Sequence, residues 1–118
     1  EELAQYHKVP VIPRKYWLVT NRQWPYRPTK HHVLLIHREH IESFEQLSEA
    51  AWAELLQIQK ETAKERGITG GVMMIRFGDT HFTGASVTHL HAHLIQSDPD
   101  SPDYATEKKV IGLATRIG

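Results

Sequence analysis

The sequence contains no cysteine, carries no net charge and has no hydrophobic run of membrane-spanning length. Without cysteine the chain has no disulfides, no zinc ribbon and no thiol nucleophile, which fits a reducing compartment. Fourteen basic and fourteen acidic residues cancel, so no bulk positive field attracts duplex nucleic acid or an anionic membrane. Any bound anion must therefore be held by local contacts. We expect a cytoplasmic protein, because no signal-peptide pattern is present either.

The length predicts one folded unit. A chain of 118 residues with 40% hydrophobic content can bury a core without disulfides. We therefore predict a single domain over 1–118, whose tail from about residue 98 has no clear pattern. Within this tail, Lys109–Ile117 is rich enough in apolar residues to be a last strand.

Periodicity predicts several strands and one long helix. β-branched and aromatic residues indicate strands at Tyr16–Thr20, His32–Ile36 and Val72–Phe77, and a proline-containing loop joins the first two as an antiparallel hairpin. A helix is predicted from Ser48, its N-cap, to about Arg66, with a short helical turn before it at 44–47. The prediction is an α+β fold, an antiparallel sheet of about five strands packed on one long helix.

The helix has a stripe that we predict to face the core. Its members recur at helical spacing, and a glycine follows the helix as a stop signal. They are Trp52, Leu55, Leu56 and Ala63, with Gly67 as the stop.

The most informative segment is a short apolar run with histidine at alternate positions. It reads Thr88-His89-Leu90-His91-Ala92-His93-Leu94-Ile95. Successive side chains of a strand face opposite sides, so His89, His91 and His93 are predicted to line one surface about 6.6 Å apart. The residues between them then turn toward the core. We expect the chemistry of the protein on the histidine surface.

Three aligned imidazoles are compatible with a metal site. Two histidines of one strand can supply two of the three ligands of a catalytic zinc. The Cα atoms of His89 and His93 would lie about 13 Å apart, so one ion cannot easily use all three. A third ligand would have to come from His32 or from an acid on another strand. A surface strand that is merely rich in histidine is a further alternative.

A phosphoryl group gives all three histidines a role. The central imidazole, His91, can attack phosphorus while His89 and His93 donate hydrogen bonds to the non-bridging oxygens. This requires the inward nitrogen of His91 to donate to a carbonyl or an imidazole, which leaves the lone pair of the other nitrogen free. Because like charges resist joint protonation, we also predict a pKa of His91 below that of an ordinary histidine.

The segment from His89 to Ile95 resembles the histidine triad (HIT) pattern, in which histidine alternates with apolar residues. The similarity extends upstream through Gly84-Ala85-Ser86-Val87 and through 29–41. It covers most of the chain, from about Trp17 to Ile95, and leaves both termini unaccounted for. It implies a HIT-like fold and a nucleotide hydrolase or transferase. In this family the middle histidine attacks the α-phosphate and forms a nucleotidyl-histidine intermediate.

The resemblance also assigns expected roles to individual residues. His91 would be the nucleophile, His89 and His93 its flanking partners, and His32 an upstream histidine that supports the triad. Asn21 lies near the position that holds the ribose hydroxyls in some members. The substrate-binding set expected is Ser86, Gly84, Asn21 and Arg76, where Arg76 replaces a common asparagine and can bind a further phosphate, favouring a dinucleoside polyphosphate.

The other histidines and aromatic residues receive structural assignments. We predict that His7, His31, His37, His40 and His81 lie at the surface or in loops. Two aromatic residues of the loop, Trp24 and Tyr26, can line a nucleobase pocket.

The sequence thus predicts an enzyme acting at the α-phosphate of a dinucleoside polyphosphate or related nucleotide. A nucleotide-binding module without turnover is the main alternative, and a histidine-ligated zinc enzyme a lesser one. We expect no obligatory cofactor and no resident metal, although a divalent cation can accompany the polyphosphate. The expected partners are the nucleotide substrate and, because the family usually pairs, a second copy in a homodimer.

Overall fold

The structure is a computed structural model that describes residues 10–22, 28–83, 85 and 87–104. Within these residues five strands form one antiparallel sheet, in the spatial order β1-β2-β3-β5-β4. The predicted α+β fold is confirmed. In chain order the elements are β1 (Val11–Pro13), β2 (Trp17–Asn21), β3 (Thr29–His37), a 3₁₀ turn (Phe44–Gln46), α1 (Glu49–Arg66), β4 (Val72–Arg76), the short helix α2 (Thr80–Thr83) and β5 (His91–Ser97).

The long helix α1 begins and ends where the sequence predicts. The Ser48 side chain accepts a hydrogen bond from the backbone N–H of Ala51, and Gly67 closes the helix with a φ of 67° in the left-handed region. The predicted core stripe was only partly correct. Leu55 is buried, but Trp52 and Leu56 are 40% and 56% exposed. The buried face instead consists of Ala51, Leu55, Ile58 and Thr62.

The two faces of the sheet differ in chemistry. On the face that packs against α1 lie apolar residues such as Leu35 of β3 and its cross-strand partner Ala92 of β5, both fully buried. Trp17 joins them and donates its indole N–H to the Ala51 carbonyl of α1 at 2.8 Å. The opposite face carries His32, His91 and His93. His93 shares that face with Leu34, its partner in register.

The main differences from the predicted strands concern β5, β3 and β1. β5 starts at His91, so His89 precedes the strand rather than lying on it. β3 begins three residues earlier than predicted, at Thr29, and has a register shift between Thr29 and His31. β1 was not predicted, because its three residues give too little alternation to recognise. The predicted last strand, Lys109–Ile117, lies outside the described residues.

A glycine allows β4 to approach β5 closely. A Cβ placed on Gly71, just before β4, would lie 2.6 Å from the carbonyl oxygen of Ile95. Only a residue without a side chain fits this contact. Among the residues that the structure describes, no helix is both long and apolar enough to span a membrane.

Candidate functional site

The ring of His91 is held by the backbone two residues before it. Its Nδ1 lies 2.8 Å from the carbonyl oxygen of His89. A carbonyl oxygen can only accept, so Nδ1 carries the proton and the neutral ring keeps its lone pair on Nε2. This is the tautomer that the sequence argument requires of a nucleophile. His91 as a whole is half-buried.

Two more imidazoles continue inward from His91. The ring centroids of His91 and His93 are 5.1 Å apart, in an edge-to-face contact. His93 Nδ1 is in turn 2.8 Å from Nε2 of His32, which lies on the neighbouring strand β3. We call these three residues the imidazole row. The sheet brings them together because β3 and β5 are hydrogen-bonded neighbours with side chains on the same face.

Burial lowers the pKa of each imidazole in the row. Desolvation lowers the pKa of His32 to about 4, with the positive charge of Arg22 adding to the effect. The pKa of His93 is lowered to about 2, mainly by desolvation and to a smaller extent by the charges of His91 and His32. The pKa of His91 is lowered, as predicted. Desolvation, rather than the predicted repulsion between like charges, is the main cause, and the hydrogen bond to the His89 carbonyl opposes it.

Two arginines place positive charge beside the row. Arg22 and Arg76 both lower the pKa of His91 and of His93 through their charge. Arg76 is half-buried on β4 and donates from its guanidinium to the Thr83 carbonyl at 2.6 Å. An anion bound next to His91 would experience both charges.

The sequence analysis did not identify Arg22 as part of the site. The register of the hairpin could have indicated Arg22 as a site residue, because its backbone N–H donates to the His32 carbonyl at 2.9 Å. This bond continues the pairing in which Asn21 faces Val33. A hairpin predicted with its register, rather than only with its strands, would have put residue 22 beside His32. Asn21 itself is exposed at the end of β2.

His89 lies apart from the imidazole row, although its charge acts on His91. Its Nε2 contacts the carbonyl oxygen of His37. His37 is 6% exposed and packs edge-on against Trp17, so its prediction as a surface or loop residue was wrong. The side chain of His40 contacts the other side of the His89 ring, where the Nδ1 atoms of the two residues are 3.3 Å apart.

Some predicted residues lie outside the described part of the chain. These are Gly84, Ser86, Trp24, Tyr26 and His7. Their expected roles stay predictions. Among the described residues, no group of three or more His, Asp or Glu side chains is arranged to hold a metal ion.

The arrangement favours attack on an electrophile by His91. A neutral imidazole with a fixed tautomer is a nucleophile near pH 7 without a separate base. Cationic side chains beside it would hold the oxygens of an anionic electrophile. His93 is 0% exposed, so in this conformation it cannot donate the expected hydrogen bond to a phosphate oxygen. The geometry suits a phosphoryl centre reached from the His91 side.

Comparisons with known proteins point to one family. The sequence profile of the HIT domain matches residues 11–100. Solved structures share the fold, beginning with one titled "Hit Like Protein", at a TM-score of 0.67 and 22% identity, covering 82% of this chain and 95% of that one. A HIT family hydrolase from Clostridium thermocellum gives a TM-score of 0.61 at 23% identity, over 85% and 89% of the two chains.

A third similar structure is of an enzyme whose name includes its substrate. It is the Plasmodium falciparum diadenosine triphosphate hydrolase in complex with cyclomarin A, with a TM-score of 0.65 and 19% identity, covering 80% of this chain and 65% of that one. At these identities the structures establish the fold alone. No curated protein sequence matches the chain.

Proposed function

Since the chain belongs to the HIT domain family, which the match over residues 11–100 establishes, we propose that it transfers a nucleotidyl group from a dinucleoside polyphosphate or related nucleotide. The reaction proceeds through a covalent intermediate on His91. The observation that carries the proposal is the hydrogen bond from His91 Nδ1 to the His89 carbonyl, because it leaves the Nε2 lone pair available on a half-buried ring.

In the first step, Nε2 of His91 attacks the α-phosphorus. A P–N bond forms, the P–O bond to the leaving group breaks, and the leaving nucleotide takes the bonding electrons. The attached imidazole becomes cationic, and its Nδ1–H still donates to the His89 carbonyl, which stabilises that charge. In the second step, water or another acceptor forms a P–O bond and the P–N bond breaks. The acceptor's proton is released and neutral His91 is restored.

The buried part of the imidazole row positions the nucleophile. If His32 Nε2–H donates to His93 Nδ1, the single proton of neutral His93 lies on its Nε2. A neutral His93 then packs against His91 without charge repulsion. We assign His93 and His32 this supporting role in the resting conformation. His89 contributes its backbone carbonyl.

Positive charge favours a polyphosphate over a single phosphate. Arg22 and Arg76 both act on His91, and both are partly accessible side chains at strand ends. Two guanidinium groups match the charge of an α-phosphate and a neighbouring phosphate. We propose Arg76 as a contact to the phosphate beyond the one attacked, and Asn21, at the exposed end of β2, as a contact to the ribose. The protein needs no resident cofactor in this scheme, and a divalent cation can enter with the polyphosphate.

Trapping the intermediate tests the proposal. The protein is mixed briefly with a dinucleoside triphosphate, quenched in alkali, where phosphoramidates survive, and analysed by intact and peptide mass spectrometry. We expect one nucleotidyl group on His91 and none in His91→Asn. His81→Asn is the matched control, because His81 is an exposed histidine of α2 outside the site. Tight binding without adduct or product would instead support a nucleotide-binding module.

We also propose a homodimer formed through β4 and α1. In the described residues β4 pairs only with β5, so its other edge is open. Beside that edge, Met73 of β4 and Trp52 and Leu56 of α1 form an exposed apolar groove. Two copies related by a two-fold axis would pair their β4 edges and cover both grooves. Light scattering should give a dimer mass for the wild type and a monomer for Met73→Lys.

A further inference from the structure

A second pair of imidazoles lies in direct contact next to the site. His40 Nδ1 is 3.3 Å from His89 Nδ1, and the two rings meet edge to face with centroids 5.0 Å apart. The side chain of His40 is 65% exposed, in line with its prediction as a surface residue. Its neighbour His89 is the residue whose carbonyl orients His91.

The outer nitrogens of the pair both face oxygen atoms. His89 Nε2 contacts the carbonyl oxygen of His37, and His40 Nε2 lies 3.4 Å from Oε2 of Glu42. Carbonyl and carboxylate oxygens only accept hydrogen bonds, so both Nε2 atoms carry protons. Each ring is neutral with that one proton, and each then brings a lone pair on Nδ1 to the contact. Two lone pairs repel, so a hydrogen bond between the Nδ1 atoms requires a third proton.

Backbone hydrogen bonds fix the segment that carries His40. The Ile41 carbonyl accepts from Leu90 N–H at 2.8 Å, and the Glu42 carbonyl accepts from Gly78 N–H at 2.7 Å. His37 N–H donates to the Leu90 carbonyl at 3.1 Å. Residues 40–42 are therefore held beside His89 by the same backbone that leads into β5. The contact between the rings follows from the fold rather than from two independent surface side chains.

We infer that His40 and His89 share one proton, that Glu42 balances the resulting positive charge, and that His40 is thereby a positioning residue for His91. The shared proton holds the His89 ring, and with it the carbonyl that accepts from His91 Nδ1. In the described residues, Glu42 lies beside His40, and His89 interacts with His91 through charge. This inference deepens the proposed function and rests on it, because it concerns the same nucleophile.

Nuclear magnetic resonance of ¹⁵N-labelled protein tests the shared proton without any turnover. Long-range ¹H–¹⁵N correlations should show protonated Nε2 atoms on both rings, and Nδ1 atoms that lose their shared proton in one joint step. In His40→Asn, whose side-chain amide can donate to His89 Nδ1, that step should vanish and His89 should keep the Nε2–H tautomer. Independent titration of His40 and His89, or a bare Nε2 on His89, would overturn the inference.

Kinetics test the consequence for His91. When the pair loses its proton as pH rises, its contact becomes repulsive, so kcat should fall over the same pH range in which the spectra show that loss. His40→Leu should lower kcat about tenfold or more while KM changes little, since a misplaced nucleophile costs rate rather than binding. His40→Asn should restore most of kcat and remove this fall. Glu42→Gln should move the fall to lower pH, because the amide cannot balance the shared charge.

A control variant and the possible contrary results distinguish a failure of this inference from a failure of the proposed function. His81→Asn removes a histidine that likewise faces a carboxylate, Asp79, at 3.4 Å, and it should leave kcat and its pH profile unchanged. Wild-type kcat and pH profile in His40→Leu would show that His40 does not position His91. Absence of an adduct in the wild type would refute the proposed function, whereas the spectra would still decide whether the proton is shared.

Discussion

The buried pair His32 and His93 should make the folded state sensitive to mild acid. In the unfolded chain a histidine has the ordinary pKa of 6.5, whereas in the fold burial lowers the pKa of His32 to about 4 and that of His93 to about 2. Below pH 6.5 the unfolded state therefore binds more protons than the folded state. The contribution of these two histidines to the free energy of unfolding is fully present above pH 6.5. It is lost as the pH falls toward their pKa values in the folded state.

The size of this loss follows from linkage. At pH 5, protonation of the unfolded state alone favours unfolding by about 2 kcal/mol for each of the two histidines, or about 4 kcal/mol together relative to pH 7.5. Most carboxylates titrate below this range, so the histidines dominate the interval. A loss of this size is a large share of the stability of a small domain.

Urea unfolding between pH 7.5 and pH 5.0, followed by tryptophan fluorescence, measures the loss. His93→Gln keeps a polar side chain next to His32 but removes one titrating group, so it should be less stable at pH 7.5 and lose only about half as much between the two values. A wild-type free energy of unfolding that changes by less than about 1 kcal/mol would refute the account of a neutral, buried pair.

Three other changes test the packing and the site. Trp17→Phe removes the indole hydrogen bond to the Ala51 carbonyl and part of the core, and should cost about 2 kcal/mol in urea unfolding. Gly71→Ala forces a methyl group to within 2.6 Å of the Ile95 carbonyl oxygen, so it should lower the unfolding temperature by several degrees. The control Gly70→Ala, which has open space around it, should have a much smaller effect. Arg76→Gln should raise KM for a dinucleoside triphosphate about tenfold and alter KM for a nucleoside phosphoramidate much less; equal effects on both would argue against a contact to a further phosphate.

The sequence was sufficient for the features that depend on local patterns. Helix α1 was predicted with its cap and its stop, because Ser48 and Gly67 act within one turn of the chain. Alternation correctly separated an apolar face from a histidine face at His91 and His93. The fold class followed from these elements and from the resemblance to the family.

Features that depend on tertiary contacts could not be predicted in the same way. Which side of α1 is buried depends on where the sheet lies, so an apolar stripe alone misplaced Trp52 in the core. His37 looked like a surface residue because its burial comes from Trp17, twenty positions away. The contact of His40 with His89 spans 49 positions and leaves no periodic signal in either segment.

The stereochemistry at phosphorus tests the central claim, that His91 forms a covalent nucleotidyl intermediate. A dinucleoside triphosphate with one defined configuration of an α-phosphorothioate is hydrolysed in ¹⁸O-labelled water, and the configuration of the labelled nucleoside phosphorothioate product is determined. Each in-line displacement inverts phosphorus. Attack by His91 followed by attack of water gives two inversions and thus retention. Net inversion would mean that water attacks the substrate directly, and would contradict the account.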